Sequence, residues 1–351
     1  MKNKQTSIAI FVNGLGDTLM AVWVAASLHK KNPEVRIQFL TKNNPRLTRD
    51  LLSPYADFIS VVDYGLRAGN IGKLASFFFQ LPFKKYLVVT PPSFGTRAFS
   101  VQALASLTAR LSGGAYASFT DKSSIELGTL VYSFDPTAIY IDEFSKAFVT
   151  AGLEIDSNFT FDTSKAPTRD VLSKYALEGQ SYFVFHPYAA NDIRTYPDTL
   201  SASLLQKILS IYDGSVVITC TSATRERAEK IAATLNQSFP KERARVVSNA
   251  SILEVATLIQ SSKFFLGVDT GNIHLAGVLR HPTLMLGNNS NPLWLPRYNP
   301  NAIILTADEH CTCDGKKGGA CLESFEGQNY YRCMLQIDHA TVVEKVRSII
   351  S

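Results

Sequence analysis

The sequence predicts an α/β protein built as two doubly wound domains in tandem. Short, wholly apolar runs of strand length alternate with stretches of helical length, the pattern of a mostly parallel sheet covered on both faces. The alternation lapses near the middle of the chain and then restarts. At 351 residues the chain also exceeds the length at which one core usually stops growing. With 46% hydrophobic and 19% charged residues, 20 Gly and 15 Pro, the composition is globular and excludes disordered, collagen-like and coiled-coil classes.

From the N-terminus, an apolar run at 8–12, a Gly turn, an amphipathic run at 18–30 and a second apolar run at 35–40 read as strand, helix, strand. Residues 58–62, 86–89 and 116–119 supply further strands, and 70–80, 99–111 and 139–151 further helices. Residues 153–178 lose this rhythm and carry Asp162, Thr163, Ser164, Pro167 and Thr168, a turn-rich composition that suits a linker. Beyond it the strands are expected at 182–186, 215–220, 244–247, 264–268 and 282–286, with helices at 200–212, 223–236, 252–260 and 272–279. The expected division is an N-terminal domain over 1–165, a C-terminal domain over 178–340 and a terminal helix over 341–351. Ligands of such folds sit where strands end and helices begin, so a cleft between the two carboxyl-terminal sheet edges is the expected site.

The opening 17 residues are apolar for only about six positions, too short for a secretory core or a membrane span, so a cytoplasmic protein is expected. Lys and Arg (35) exceed Asp and Glu (30) by a net +5, a balance that favours anionic ligands but lacks the dense basic stripe of a dedicated nucleic-acid binder. Nucleic acid is not an expected partner.

Gly14-Leu15-Gly16-Asp17 stands between the first strand and the first helix, where a dinucleotide fingerprint would lie. The fingerprint fails: its third glycine falls on Leu19, and the next strand ends without a carboxylate for a ribose. The two glycines still permit close approach to the backbone. Asp17 reads either as a cap or dipole partner of the helix or, in a cleft, as a general base. Asp269-Thr270-Gly271, with His274 one turn on, ends a buried strand and opens a helix at once. Free N–H groups and the positive helix end there converge beside a carboxylate, which suits a nucleotide diphosphate and a polar sugar. The alternative is an ordinary strand-to-helix turn with Asp269 as cap and His274 in the core. Asp-Thr-Gly also occurs in aspartic proteases, but those pair two copies in all-β lobes, and this chain has one copy in an α/β setting. Arg194, in the turn after the second domain's first strand, presents a fork of donors suited to phosphate oxygens or is simply solvated.

Four of the five cysteines, Cys311, Cys313, Cys321 and Cys333, crowd into 23 residues as C-x-C-x7-C-x11-C. In a reducing compartment this favours a structural metal, zinc or iron, over disulfides; the other reading is a loop of free thiols or one disulfide. Arg67, Lys73, Lys84, Lys85, Arg97 and Arg110 lie among Phe77, Phe78, Phe79 and Phe83 in the first domain. They read as a solvated face over core aromatics, or as a surface for an anionic partner.

Taken in order, Gly16 to Ala21, the His-Pro-x-Ala turn at His186 to Ala189, the basic-x-aromatic-Pro segment at Arg194 to Pro197, and Asp-Thr-Gly-x-x-His-Leu-Ala at Asp269 to Ala276 resemble glycosyltransferase family nine. The chain is similar to its ADP-heptose heptosyltransferases over about residues 7–345. The resemblance implies a GT-B fold, two Rossmann-like domains facing an interdomain cleft, and inverting transfer of a heptose from ADP-heptose or a related nucleotide sugar. It implies Asp17 as the catalytic carboxylate that takes the acceptor proton, and Arg194 on the donor phosphates. Asp269 would hold donor-sugar hydroxyls, Thr270 and Gly271 would bring backbone to the diphosphate, and Gly16 and His274 would complete the donor site. The acceptor would be a lipopolysaccharide core or a protein, met by the first domain, with at most peripheral contact with the inner face of a membrane. Some members of the resembling family carry an iron-bound cysteine finger. No catalytic metal is expected, since no two aspartates are spaced as Asp-x-Asp. The chain departs from the family pattern at Asn13, where a basic residue is common, at Tyr188, where Gly is usual, and at Tyr196, where Trp is usual. A sugar-nucleotide binding module without catalysis, or a metal-stapled interaction protein, is the alternative.

Overall fold

The computed structural model describes residues 7–12, 14–41, 45–65, 71–90, 99–120, 129–135, 137–156, 161, 168–287, 292–305 and 321–351. They divide into two compact units, Met1–Asp162 and Thr163–Ser351.

Unit 1 runs β1 (Ser7–Val12), α1 (Leu15–Lys31), β2 (Arg36–Thr41), α2 (Pro45–Leu52), β3 (Ile59–Asp63), α3 (Ile71–Gln80), β4 (Tyr86–Val89), α4 (Phe99–Leu111), β5 (Ala115–Thr120), β6 (Leu130–Ser133) and α5 (Tyr140–Thr150). All its strand pairs are parallel, in the order β3-β2-β1-β4-β5-β6. Unit 2 runs α6 (Thr168–Lys174), β7 (Tyr182–His186), α7 (Asp198–Leu209), β8 (Ser215–Cys220), α8 (Arg225–Ser238), β9 (Ala244–Ser248), α9 (Ile252–Gln260), β10 (Phe265–Val268), α10 (Gly271–Val278), β11 (Thr283–Leu286) and β12 (Ala302–Leu305). An antiparallel hairpin of β13 (Leu322–Phe325) and β14 (Gln328–Tyr331) follows, then α11 (Arg332–Leu335) and α12 (His339–Ile350). The unit 2 sheet is parallel throughout, in the order β12-β11-β10-β7-β8-β9, the same winding as unit 1.

The central strands are apolar because both faces are covered: β1 from Ile8 to Val12, and β4, β8, β10 and β11 throughout, are buried. Edge strands need less. β6 buries only Tyr132 and β12 only Leu305; neither was expected, although Leu130-Val131-Tyr132 and Ala302-Ile303-Ile304-Leu305 are apolar in the sequence. The helix α1 corrects the amphipathic reading of 18–30. Every residue from Thr18 to Leu28 is buried, since the helix packs on β1, α2 and α5 at once. The stretch expected as linker contains α6, which packs against α9 and is pinned by Lys174 Nζ to Glu254 Oε1 at 2.6 Å. The terminal helix begins at His339 rather than 341. It packs on α7 and sends Val342 and Val346 into the unit 2 core.

Among the described residues no helix is long and apolar enough to cross a membrane.

Candidate functional site

In each unit the winding reverses between two neighbouring central strands, β1 and β4 in unit 1 and β7 and β10 in unit 2. Chains leaving such a pair diverge at their carboxyl ends and leave a crevice there. Asp17 follows β1, the Arg194 turn follows β7, and Asp269 follows β10, so these residues stand at switch points.

In unit 2 the turn after β7 is fixed by its own backbone. Ala189 N–H donates to Thr195 Oγ1 at 3.0 Å, Tyr196 N–H donates to Pro187 O at 2.9 Å, and the Asn191 side chain accepts from Ile193 N–H at 3.2 Å. The turn closes as a single 3-10 turn, Asp192–Arg194. Its last side chain reaches β10: Arg194 Nη1 lies 3.2 Å from Asp269 Oδ2, with the side chains 35% and 20% exposed. This pair holds the guanidinium at the crevice while leaving most of its donors open to an anion.

Next to it, Thr270 N-caps α10 in an extended conformation, φ −147° and ψ 174°, and its side chain makes no capping bond. The Thr270 hydroxyl is buried without a hydrogen-bond partner among the described residues. The first N–H groups of α10 therefore remain for a ligand, at the positive end of the helix dipole and within reach of Arg194.

His274 sits deeper. It is 3% exposed, its Nδ1 lies 3.0 Å from Tyr298 Oη, and its ring stacks on Tyr298 and meets Trp294 edge-on. Burial pushes its pKa down against the opposing pull of Asp269. The structure places His274 as a packed and hydrogen-bonded support behind the Asp269 turn. Tyr298 in turn needs Gly277, where an added Cβ would lie 2.6 Å from the phenol oxygen. Gly277→Val is expected to lower stability by about 1–3 kcal/mol through overpacking, read as a reduced urea midpoint at unchanged m-value.

The Tyr188 and Tyr196 departures are both absorbed locally. Arg227 holds Asp198 with two hydrogen bonds of 2.8 and 2.9 Å, and its guanidinium stands 5.2 Å from the Tyr188 ring centre. Tyr196 is buried, with Oη 2.9 Å from His339 Nε2, which ties the Arg194 turn to the start of α12. The strand β14 also packs against the 192–194 turn. Tyr298, Arg227 and His339 were not anticipated from sequence, because each partner lies far along the chain and carries no local pattern.

In unit 1, Gly14 N-caps α1 and makes Asp17 the third helical residue, not the cap. Thr18 closes the turn instead, donating Oγ1 to Gly14 O at 2.7 Å. Gly14 is exposed, and no atom lies within 4 Å of a Cβ built there, so the approach to this helix end is open. Gly16 is the second helical residue, and Asp17 stands half-buried beside it. A carboxylate at that position is favoured by the helix dipole.

Of the four clustered cysteines, Cys311 and Cys313 lie outside the described residues. Cys321 and Cys333 flank the β13–β14 hairpin, and Arg332 N–H donates to Cys321 O at 2.8 Å, which brings the two cysteines to the hairpin's open end. Among the described residues no group of three or more His, Cys, Asp or Glu could hold a metal ion. Of the basic set, Arg67 and Arg97 lie outside the described residues, and Lys84, Lys85 and Arg110 are exposed. These three lie near the amino ends of β4 and β5, at the sheet edge opposite Asp17.

Two other imidazoles are held neutral. His186 Nδ1 lies 2.9 Å from Thr219 O, and His281 Nε2 lies 3.0 Å from Ser262 Oγ; burial pushes each pKa down to about 4. Unfolding would let both rings bind protons near pH 6.5. Stability should therefore be flat above that pH and fall as the pH drops from about 6.5 to about 4, by on the order of 2 kcal/mol for each ring. Urea midpoints measured across this range, with His281→Gln flattening part of the slope, check the prediction.

The family model for glycosyltransferase family 9 (heptosyltransferase) matches residues 105–322, which includes the Arg194 turn and the Asp269 motif. The chain belongs to this family of glycosyl-transferring enzymes. A curated relative, lipopolysaccharide heptosyltransferase 1 of Pseudomonas aeruginosa, is 34% identical over 91 residues, 26% of this chain. That match spans only about a quarter (24%) of the relative's own length. Among solved structures, E. coli ADP-heptose lipopolysaccharide heptosyltransferase II superposes with a TM-score of 0.71 at 17% identity, covering 98% of both chains. E. coli heptosyltransferase WaaC, determined with ADP, gives 0.68 at 15% identity, covering 98% of this chain and 99% of that one. At these identities the likeness concerns the fold: two Rossmann-like units of the GT-B type, as the sequence resemblance implied.

Proposed function

We propose that the protein transfers a heptose, with inversion, from ADP-heptose to a hydroxyl of a lipopolysaccharide core or protein acceptor. The observation that carries this reading is the Arg194–Asp269 pair beside the uncapped start of α10, a cradle whose charge and open N–H groups suit a diphosphate. In this reading Arg194 and the N–H groups of Thr270 and Gly271 hold the donor diphosphate, Asp269 accepts from sugar hydroxyls, and His274 positions the turn from behind. Gly16 completes the donor site at the start of α1, and Asp17 takes the proton. The acceptor oxygen forms its bond to the anomeric carbon as the bond to the diphosphate breaks, and the electron pair leaves with the diphosphate. Its developing charge is met by fixed donors that need no rearrangement. The donor is read from the resemblance and from the ADP-heptose and ADP named for the solved relatives.

The test is incubation with a panel of nucleotide sugars, following release of nucleoside diphosphate with and without lipopolysaccharide core or protein acceptors. ADP-heptose turning over in an acceptor-dependent way supports the proposal. Preference for another nucleotide sugar overturns the donor, and ligand binding without release under any condition favours a binding module.

The cysteines are proposed to hold a structural zinc or iron. Thiolates suit either ion, and the hairpin brings Cys321 and Cys333 together. One metal per chain by elemental analysis, lost in Cys321→Ser/Cys333→Ser together with part of the thermal stability, is the expected result; metal-free protein of equal stability contradicts it.

A further inference from the structure

We infer that the outer face of α3 and α4 in unit 1 is a docking surface for an anionic lipid bilayer. The inner sides of these helices are spent on the core, through Phe77 and Leu81 on one segment and Val101, Ala105 and Ala109 on the other. What faces outward is also apolar. Phe79 and Phe83 are 75% and 77% exposed, with ring centres 6.1 Å apart, and Leu107 and Leu111, one helical turn from each other, are 49% and 48% exposed. The 3-10 turn Leu81–Phe83 packs on α4, and Tyr86 N–H donates to Ser112 Oγ, so Phe83 and the last turn of α4 are neighbours.

The stretch of chain that builds this face carries charge of one sign. Between Tyr64 and Thr120 the sequence holds six Lys and Arg and no Asp or Glu, so this stretch alone carries +6 in a chain whose net charge is +5. Lys84, Lys85 and Arg110 are exposed beside the aromatic pair. A protein core or an ordinary solvated face would not leave two phenylalanines three-quarters exposed on a stretch of chain whose only charges are basic, with Asp57 lining the cleft beside Lys84 as the acid contributed by a neighbouring segment. Aromatic rings that enter the headgroup boundary, ringed by cations that meet anionic lipid, account for both features. The surface lies near the amino ends of β4 and β5, away from the carboxyl-end residue Asp17, and it does not depend on which sugar the protein transfers.

Sedimentation of the full chain with phosphatidylcholine vesicles, with and without phosphatidylglycerol, tests this. The expected result is binding to the mixed vesicles that weakens with added salt and is much weaker on phosphatidylcholine alone. Phe79→Ser/Phe83→Ser should lower the partition coefficient by about tenfold or more, and Lys84→Gln and Lys85→Gln by about fivefold for each charge removed. All four side chains are exposed, so melting temperatures should be unchanged; Arg110→Gln alone, and the salt dependence of the wild type, keep the test open if a double variant is unstable. Absence of vesicle binding, equal binding to neutral vesicles, or an oligomer that falls to monomer in Phe79→Ser/Phe83→Ser without any lipid effect overturns the inference, the last by assigning the face to a second copy of the chain.

Discussion

Asp17→Asn is expected to lower kcat by about 10²- to 10⁴-fold while changing the dissociation constant for ADP by less than about threefold. The substitution keeps size and one acceptor oxygen, replaces the other with an NH2 donor, and removes the basicity needed to take a hydroxyl proton. The helix tolerates it, because Gly14 is the N-cap and Thr18 closes the turn. Some loss of the favourable dipole interaction is expected, on the order of 0.5 kcal/mol of stability, too little to explain the loss of turnover. Rapid-quench turnover and calorimetric titration of ADP on the same preparations separate the two effects. Equal turnover in the variant would remove Asp17 from the chemistry and return it to a dipole partner of α1.

Arg194→Ala is expected to act on both constants. Removing a charge-assisted donor from a phosphate costs about 1.5–3 kcal/mol, which is roughly 10- to 100-fold in the dissociation constant for ADP. A further loss in kcat follows if the guanidinium also meets charge developing on the leaving diphosphate. The variant additionally leaves Asp269 without its partner at 3.2 Å, placing an uncompensated carboxylate beside the anion. Arg194→Lys should recover part of the affinity, since the charge returns but the two-pronged geometry does not. Titrations of ADP into the three proteins, repeated at higher salt, check the order wild type, Lys, Ala.

The reason these two residues were legible in the sequence is topological. In a parallel sheet the central strands are buried on both faces, so β1, β7, β8 and β10 appear as largely apolar runs, and the residues that follow them stand at the carboxyl edge of the sheet. Asp17, Arg194 and Asp269 could therefore be placed without coordinates. Their partners could not. The Arg194–Asp269 contact spans 75 positions and Tyr196–His339 spans 143, and neither is encoded by any local period. The edge strands β6 and β12 were not expected although Leu130-Val131-Tyr132 and Ala302-Ile303-Ile304-Leu305 are apolar; each buries one side chain, and a short apolar run does not by itself say whether it joins a sheet edge. The helix α6 lay hidden within a stretch rich in turn formers, where its fold depends on docking to α9 and on the Lys174–Glu254 pair rather than on its own propensity. His274 carried two readings in the sequence, a donor-site contact and a core histidine; its side chain packs against Tyr298 and Trp294, with Gly277 making the room.

Tyr188 and Tyr196, the two departures from the family pattern within the turn after β7, also acquire a physical reading. Each aromatic ring is paired to a residue elsewhere in unit 2, Arg227 for Tyr188 and His339 for Tyr196. The turn that presents Arg194 is thus braced from two sides, and the changes leave the carboxyl edge of β7 intact.

The anomeric configuration of the transferred sugar tests the central claim most directly. With the nucleotide sugar selected by the donor panel and its acceptor, proton NMR of the first product formed should report the configuration opposite to that of the donor, as a single displacement assisted by Asp17 requires. A product that retains the donor configuration would contradict the account.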